Sequence, residues 1–225
     1  MDFLLAVKNM TATPSAYTQT ALEILRRPDL TMHWYIVPIF VLLIYIISVE
    51  IHHKNWNILL AGVALWGMDL FNEIWNGAVA FSTGAPVWGT PMGVGDTSLL
   101  LLIGYNIEIS IMFFLMGLAV GHTLEAFPKD KKILKVNNRI WIILIMTTFA
   151  VLVEIFLNYA GILTWEKAWW QPDVPYVLWL IGYLPFFVSA TLAHDGNKRV
   201  KLITIGSIYF VDIVLLAVFG GMGWL

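Results

Sequence analysis

The stretch NILLAGVALWGMDLFNEIWNGAVA, residues 57–80, is long and apolar enough to cross a membrane as a helix. A bilayer core of about 30 Å takes about 20 predominantly apolar residues in helical form. The same stretch nevertheless carries two carboxylates, Asp69 and Glu73. A charged side chain at the bilayer centre costs at least ~2.5–3.5 kcal/mol, so acids inside a span are expected to serve a function. The stretch therefore predicts a membrane protein and marks a candidate site.

The composition of the whole chain also predicts a membrane protein. Of its 225 residues 59% are hydrophobic and 12% are charged, and the mean hydropathy is +0.77. Soluble domains average about 45–50% apolar and about 25% charged residues. The chain has no cysteine, which excludes disulfides and thiolate metal sites. Because the basic residues are spread over several connections and the formal net charge is −2, we predict no nucleic-acid partner.

Apolar runs of about 18 to 25 residues predict an all-α, polytopic bundle of six transmembrane helices. The runs cover residues 32–52, 57–80, 98–121, 139–162, 176–194 and 202–222. The fifth run is the shortest and contains Pro185, so we expect a kink there.

The N-terminal segment, residues 1–30, precedes the transmembrane domain, residues 31–225. Within it, residues 15–27 place apolar side chains at helical spacing, which predicts a short amphipathic helix ended by Pro28. Such a helix could lie on the membrane surface. Packing against the bundle is an equal alternative.

The orientation in the membrane follows from the basic residues. Nine of the thirteen lysines and arginines lie in the connections after the first, third and fifth spans. They are Lys54, Lys129, Lys131, Lys132, Lys135, Arg139, Lys198, Arg199 and Lys201. The positive-inside rule places these connections in the cytoplasm, with both termini extracytoplasmic, for a protein of the cell (inner) membrane. The two outer connections, STGAPVWGTPMGVGD (82–96) and ILTWEKAWWQPDVP (162–175), could form a lid or an interfacial aromatic belt, and the belt is favoured.

Five carboxylates fall inside the predicted spans, and no lysine or arginine lies in a span interior. The five are Asp69, Glu73, Glu108, Glu154 and Asp212. Without a basic partner, each must be protonated, share a proton with another acid, or face water, a metal ion or a cationic ligand. A neutral carboxyl group bonded between helices would explain one or two of them, but suits all five poorly.

Helical spacing predicts that these acids line one cavity. Residues three or four apart share a helix face, and polar faces in a membrane bundle turn inward. We therefore predict a cavity that opens toward the outer side or the outer leaflet. The candidate catalytic residues are Asp69, Glu73, Glu154 and Asp212. The candidate ligand-binding residues are Asn72, Asn76, Tyr105, Glu108, Asn158 and Tyr209.

Histidines form a second group at the predicted cytoplasmic ends of the spans. They are His52, His53, His122 and His194, with Glu50, Glu125 and Asp195 beside them. Histidine and carboxylate side chains suit zinc or iron, but the spacings match no metal-binding pattern and favour interfacial histidines. Nucleotide-binding and serine-hydrolase motifs are absent from the sequence. We predict neither a metal site nor a cofactor.

Three functional hypotheses follow from the acids. The favoured one is an enzyme that acts on a lipidic or isoprenoid-like substrate, in which a neutral carboxylic acid donates a proton and an ionised neighbour accepts one. The first alternative is a transporter or binding protein for a cation or a proton-coupled solute. The second is an accessory subunit of a larger membrane complex. The expected partners are membrane lipids, a lipidic ligand, and either a second copy of the chain or another membrane subunit.

Overall fold

The computed structural model describes residues 12–25, 33–90 and 99–225, and this part of the chain is mostly helical. Its seven helices are α1 (Ala16–Leu25), α2 (Ile36–His52), α3 (Trp56–Thr83), α4 (Ile107–Ala126), α5 (Asn138–Tyr159), α6 (Pro175–Asp195) and α7 (Lys198–Met222). By length and composition, α3 to α7 could each cross a membrane, and α2 is a shorter apolar helix of 17 residues. The mostly helical architecture predicted from the sequence is confirmed.

Some predictions fall on residues 1–11, 26–32 and 91–98, which lie outside the described residues. They include the first residues of the first and third predicted spans and the predicted end of the N-terminal helix. The basic residues Lys8, Arg26 and Arg27 also belong to these ranges.

Three short antiparallel strand pairs connect the helices of the described chain, and the sequence analysis predicted none of them. Strands β1 (Trp88–Gly89), β2 (Leu100–Leu102), β3 (Tyr105–Asn106), β4 (Lys132–Ile133), β5 (Val136–Asn137) and β6 (Thr164–Trp165) form them. β1 pairs with β6, β2 with β3, and β4 with β5. Buried connections need partners for their backbone N–H and C=O groups, and these pairings supply some of them.

The predicted third span, 98–121, is wrong at its beginning, because α4 starts only at Ile107. The preceding apolar residues form β2 and β3 instead. Asn106 ends this hairpin and caps the helix, since its side chain accepts a hydrogen bond from the backbone N–H of Ile109 at 2.9 Å. Gly104 between the strands lies so close to α3 that a Cβ atom there would be 2.5 Å from Nδ2 of Asn76. A hydropathy pattern cannot distinguish this buried hairpin from the first turns of a helix.

The N-terminal helix α1 packs against the bundle, which decides between the two alternatives for it. Ala21 and Leu22 are buried in a cluster with Ala80, Leu100 and Ile103. The Tyr17 hydroxyl donates to the carbonyl of Ile103 at 2.6 Å and accepts from the N–H of Thr90 at 3.1 Å. Burial raises the pKa of Tyr17, so its hydroxyl stays a neutral donor.

Helix α6 departs from regular α geometry around the proline that the sequence singled out. Residues Leu178–Tyr183 form a π-helical segment, and Pro185 follows in the first turn of the α-helical part Leu184–Asp195. Proline has no N–H to donate and its ring crowds the preceding turn, so a wider turn before it relieves the clash. The segment places Gly182 and Tyr183 beside α3 and α5, where the candidate site lies.

Helix α3 is the centre of the bundle and packs against α4, α6 and α7. Glycines bring α3 and α4 into close contact: a Cβ atom at Gly117 would lie 2.6 Å from the Cα of Gly62. Small residues commonly permit such close packing between membrane helices. At the end remote from β1 and β6, Arg139 pairs with Asp195, with 2.6 Å between Nε and Oδ2, and so ties α5 to α6.

Candidate functional site

A cavity of about 550 Å³ lies between α3, α4, α5 and α6, below the connections that carry β1 and β6. Four carboxylates line it, and most of the remaining wall is apolar or aromatic. The lining residues are Asp69, Asn72, Glu73, Trp88, Thr90, Asn106, Glu108, Ile109, Met112, Phe113, Glu154, Leu157, Ile162, Leu163, Trp170, Gly182, Tyr183 and Phe186. None of these described lining residues is a lysine, arginine or histidine, so the charged groups of the wall are all acidic.

Helix α3 supplies the first part of the site through residues three and four positions apart. Asp69 and Glu73 are 2% and 3% exposed, and Asn72 lies between them on the same face. The Asn72 side chain donates to the carbonyl of Gly182 at 3.4 Å, which links α3 to the π-helical segment of α6.

Glu73 is held by a neutral donor. Its Oε1 accepts a hydrogen bond from the indole N–H of Trp88 at 2.7 Å, and its Oε2 lies 3.5 Å from Nδ2 of Asn76. The Asn76 side chain also binds the backbone of the following connection. It accepts from the N–H of Val87 at 2.7 Å and donates to the carbonyl of Trp88 at 2.8 Å. One turn of α3 therefore fixes both the acid and the chain segment above it.

Glu154 of α5 has the same kind of partner. Its Oε1 accepts from the indole N–H of Trp165 at 2.9 Å and lies 3.4 Å from that of Trp170. Trp165 is the strand partner of Trp88 between β6 and β1. Each glutamate thus accepts an indole N–H from the connection that follows its own helix. The sequence showed no basic partner for these two acids. In the structure, each accepts a hydrogen bond from a neutral tryptophan N–H instead.

The tryptophans form a roof over the cavity, which we call the tryptophan roof and define as Trp75, Trp88, Trp165 and Trp170. The ring centres of Trp88 and Trp170 are 5.0 Å apart, and those of Trp75 and Trp88 are 5.6 Å apart. Trp88, Trp165 and Trp170 are each at most 8% exposed. An interfacial belt would keep its N–H groups in water, whereas these indoles bond to buried acids. The arrangement agrees with the lid alternative rather than with the belt.

Asp69 differs from the two glutamates, because its Oδ2 is buried and has no hydrogen-bond partner among the described residues. The nearby Tyr105 hydroxyl donates to Oγ of Ser110 at 2.8 Å. A buried polar atom without a partner costs free energy of about 1–3 kcal/mol. A ligand in the cavity would supply the hydrogen-bond partner that Oδ2 of Asp69 lacks. Protonation of this oxygen would also lower the cost of burying it.

The cavity lining includes two exposed residues, Met112 of α4 at 47% and Ile162 in the segment that follows α5 at 56%. Both side chains are apolar and lie on long apolar helices or beside them, so this part of the lining faces the side of the bundle. Glu108 lines the cavity from the first turn of α4 and accepts a hydrogen bond from the Tyr35 hydroxyl, just before α2.

Half of the predicted site residues come together at the cavity, and half do not. Asp69, Asn72, Glu73, Glu108 and Glu154 line it. Asn76, Tyr105, Asn158, Tyr209 and Asp212 lie outside the lining.

Three of the residues outside the lining have other surroundings. Asn158 donates to the carbonyl of Leu163 at 3.1 Å, and Tyr209 donates to that of Val63 at 2.9 Å. Asp212 is 1% exposed on α7, and neither of its carboxyl oxygens has a partner in the described chain.

The histidine group lies at the other end of the bundle and makes carboxylate contacts. Nε2 of His122 is 2.8 Å from Oε1 of Glu50, and Nδ1 of His194 is 2.8 Å from Oδ1 of Asp195. Within residues 12–25, 33–90 and 99–225, no group of three or more histidine and acidic side chains is arranged to hold a metal ion. The first contact joins α4 to α2, whereas His194 and Asp195 are neighbours at the end of α6.

Trp88, Trp165, Trp170 and Tyr183 belong to the site, and the sequence analysis did not include them. The outer connections were noted for their tryptophans, but composition does not say which indole reaches which acid. The signal in the sequence that could have identified two of them is their position, because Trp88 and Trp165 each follow a span that carries a glutamate.

The chain matches an uncharacterized membrane protein family over residues 15–221 and therefore belongs to it. It is 43% identical over 217 residues to an uncharacterized protein of Archaeoglobus fulgidus, an alignment that covers 94% of this chain and 100% of the relative. A second, short protein of the same organism is 44% identical over 54 residues, which is 23% of this chain and 96% of that relative. No solved structure matches the chain.

Proposed function

We propose that the protein is an integral-membrane enzyme that moves protons on a lipidic, isoprenoid-like substrate. The observation that carries the proposal is the cavity itself: three buried carboxylates, Asp69, Glu73 and Glu154, face a mostly apolar and aromatic space. The wall is mostly apolar and these three acids are buried in it, so an acid and a base at fixed positions can act directly on a bound molecule. An opening between α4 and the segment after α5 would admit a substrate from the lipid.

The residues suggest a division of roles. Asp69 in its neutral form would donate a proton to a carbon–carbon double bond of the substrate, because its Oδ2 has no competing partner. Glu73 or Glu154 in its ionised form, held by indole N–H groups, would remove a proton from a neighbouring carbon. One proton enters and one leaves, so the product is an isomer or a cyclised form of the substrate. Aromatic faces stabilise positive charge, and those of Trp88, Trp170 and Phe186 would do so for the cationic intermediate.

A transporter or binding protein for a cation is the second candidate. The observation that favours it is the same lining, which contains four acids and no lysine, arginine or histidine among its residues. In that case the ligand would supply the positive charge and would bind between Glu73 and Glu154. The third hypothesis, an accessory subunit, would be favoured if Asp212 met a basic residue of another chain.

We also propose six membrane crossings, α2 to α7, with both ends of the chain extracytoplasmic. Two contacts support an even number of crossings. The N–H of Ser15, just before α1, donates to the carbonyl of Gly84 at 2.8 Å, and Trp224, just after α7, stacks on Phe81 with 5.2 Å between ring centres. Both contacts lie at the roof end of α3. The basic connections lie at the opposite end, which the positive-inside rule assigns to the cytoplasm.

The enzyme proposal is tested by native mass spectrometry and deuterium exchange. The protein is extracted in mild detergent and any co-purified lipid is identified, for the wild type, Asp69→Asn and Glu73→Gln. Incubation in heavy water should place deuterium on carbon atoms of the lipid with the wild type, but with neither Asp69→Asn nor Glu73→Gln. The matched control is Asp212→Asn, which changes a buried acid outside the cavity lining.

The outcomes separate the candidates. Deuterium on carbon with the wild type and with Asp212→Asn, but with neither cavity variant, is the expected result. A bound inorganic or organic cation that is lost in Glu73→Gln, with no carbon exchange, would replace the enzyme proposal by the cation-binding one. Equal exchange in all four proteins would refute a role for Asp69 and Glu73.

A further inference from the structure

The connection between α4 and α5, at the end of the bundle remote from the roof, has an unusual turn. β4 and β5 pair through Ile133 and Val136, so the turn between them contains two residues, Leu134 and Lys135. Both have positive φ, 51° and 66°. Two-residue hairpin turns of this hand normally use Asn or Gly, because a Cβ atom is disfavoured in the left-handed region. Here a leucine occupies it, and it is 80% exposed. We call residues 131–137 the basic hairpin.

The basic hairpin is fixed to the start of α5. The indole N–H of Trp141, in the first turn of that helix, donates to the carbonyl of Ile133 at 3.0 Å. The backbone N–H of Asn138 donates to the carbonyl of Lys131 at 3.0 Å. Tryptophan favours the membrane–water interface, where its ring is buried and its N–H is hydrogen-bonded. The exposed side chains of Ile133 and Leu134 therefore lie beside a residue type that favours the headgroup region.

The charges within the basic hairpin are positive and free of ion pairs in the described chain, although the exposed acid Asp130 directly precedes it. Lys131, Lys132 and Lys135 are exposed, and no ion pair within 4.0 Å involves them in the described part of the chain. The other nearby cations are engaged differently. Arg139 pairs with Asp195, and Nζ of Lys129 donates to the carbonyl of the same aspartate at 2.9 Å.

We propose that the basic hairpin is a binding site for anionic lipid headgroups. Leu134 inserts between headgroups, and Lys131, Lys132 and Lys135 contact their phosphates. Each basic residue near an anionic bilayer surface contributes about 1 kcal/mol. Buried apolar area adds to this electrostatic attraction in interfacial segments. The short connection joins two long apolar helices, so the bilayer is the surface that its tip meets first. The site lies away from the cavity and does not depend on the function proposed there.

The test uses a fluorescent label, because the chain has no cysteine that would compete for it. Leu134→Cys carries a small apolar fluorophore and is reconstituted in nanodiscs of phosphatidylcholine, alone or mixed with phosphatidylglycerol. Quenching by headgroup nitroxide lipids and by aqueous iodide reports where the tip lies. A second protein also carries Lys131→Gln, Lys132→Gln and Lys135→Gln. The matched control adds Lys54→Gln, an exposed lysine in another connection.

We expect the label to be quenched by the lipid nitroxide and protected from iodide in the anionic nanodiscs. The preference for anionic lipid should fall about five-fold for each hairpin lysine removed, and Lys54→Gln should leave it unchanged. Equal iodide access in both nanodiscs would overturn the proposal. So would protection that persists in the triple variant, because depth would then not depend on lipid charge. Protection that requires two copies in one nanodisc would assign the hairpin to a protein interface instead.

Discussion

The bond between Trp88 and Glu73 gives the most direct test of the site's architecture. Trp88→Phe removes the indole N–H at 2.7 Å and keeps an aromatic ring in the roof. Glu73 would then keep only the amide of Asn76, at 3.5 Å. A hydrogen bond to a charged group contributes about 1.5–3 kcal/mol to stability. Because 1 kcal/mol shifts Tm by about 2–4 °C in chains of this size, we expect Tm to fall by roughly 3–12 °C.

Two controls isolate the hydrogen bond from the change in ring size. Trp169→Phe alters a tryptophan that contacts the same cluster, but is 43% exposed and makes no indole hydrogen bond among the described residues. Its Tm should change by less than about 2 °C, as is usual for exposed positions. In a Glu73→Gln background the acceptor is neutral, so the effect of Trp88→Phe should shrink to about 1 kcal/mol.

Thermal unfolding in detergent, followed by the size-exclusion peak that survives heating, gives Tm for the wild type, the three single variants and the Trp88→Phe, Glu73→Gln double variant. Equal losses for Trp88→Phe and Trp169→Phe would show that ring volume matters and the indole N–H does not. An undiminished effect in the Glu73→Gln background would refute the bond to the charged acid. Trp165→Phe should lower Tm less than Trp88→Phe does, because the indole N–H of Trp170 still lies 3.4 Å from Glu154.

Two further predictions concern the packing that holds the site. Gly117→Ala should lower the free energy of unfolding by about 1–3 kcal/mol, because the new Cβ would lie 2.6 Å from the Cα of Gly62. The control is Gly206→Ala, whose new Cβ would have no atom within 4 Å. It should change the free energy of unfolding by less than about 1 kcal/mol in the same assay. Arg139→Gln should lower the free energy of unfolding by about 2 kcal/mol. This value lies between those for exposed and buried ion pairs, because the side chains of Arg139 and Asp195 are 12% and 14% exposed. Arg199→Gln, an exposed arginine without an ion pair in the described residues, is its control, and an equal loss would contradict the structural role of the pair.

The helical spacing of the acids was the part of the site that the sequence predicted well. Asp69, Asn72 and Glu73 share one face because a helix repeats every 3.6 residues, whatever surrounds it. Helical spacing did not predict which faces of different helices meet at the cavity. Asp212 and Tyr209 share a face of α7, but that face meets α3 outside the cavity lining. Spacing within one helix says nothing about the rotation of the next helix.

The beginning of α4 was predicted too early for a related reason. Residues 100–106 are as apolar as a span, and hydropathy alone cannot separate a buried hairpin from a helix. The deciding contacts are Gly104 against α3 and the cap formed by Asn106. The first depends on Asn76, which is distant in the sequence, whereas the cap is a local contact with Ile109 that hydropathy does not register.

By itself the sequence determined the membrane environment, the long apolar helices and the presence of acids with no basic partner in the span interiors. These follow from local hydrophobicity and charge, because the bilayer selects helices by length and composition. Only the tertiary structure decided what the acids meet. Trp88 and Trp165 come from different connections, pair as strand neighbours, and turn their indole N–H groups to Glu73 and Glu154. The physical reason is that a hydrogen bond needs a donor within about 3 Å, and chain folding sets that distance.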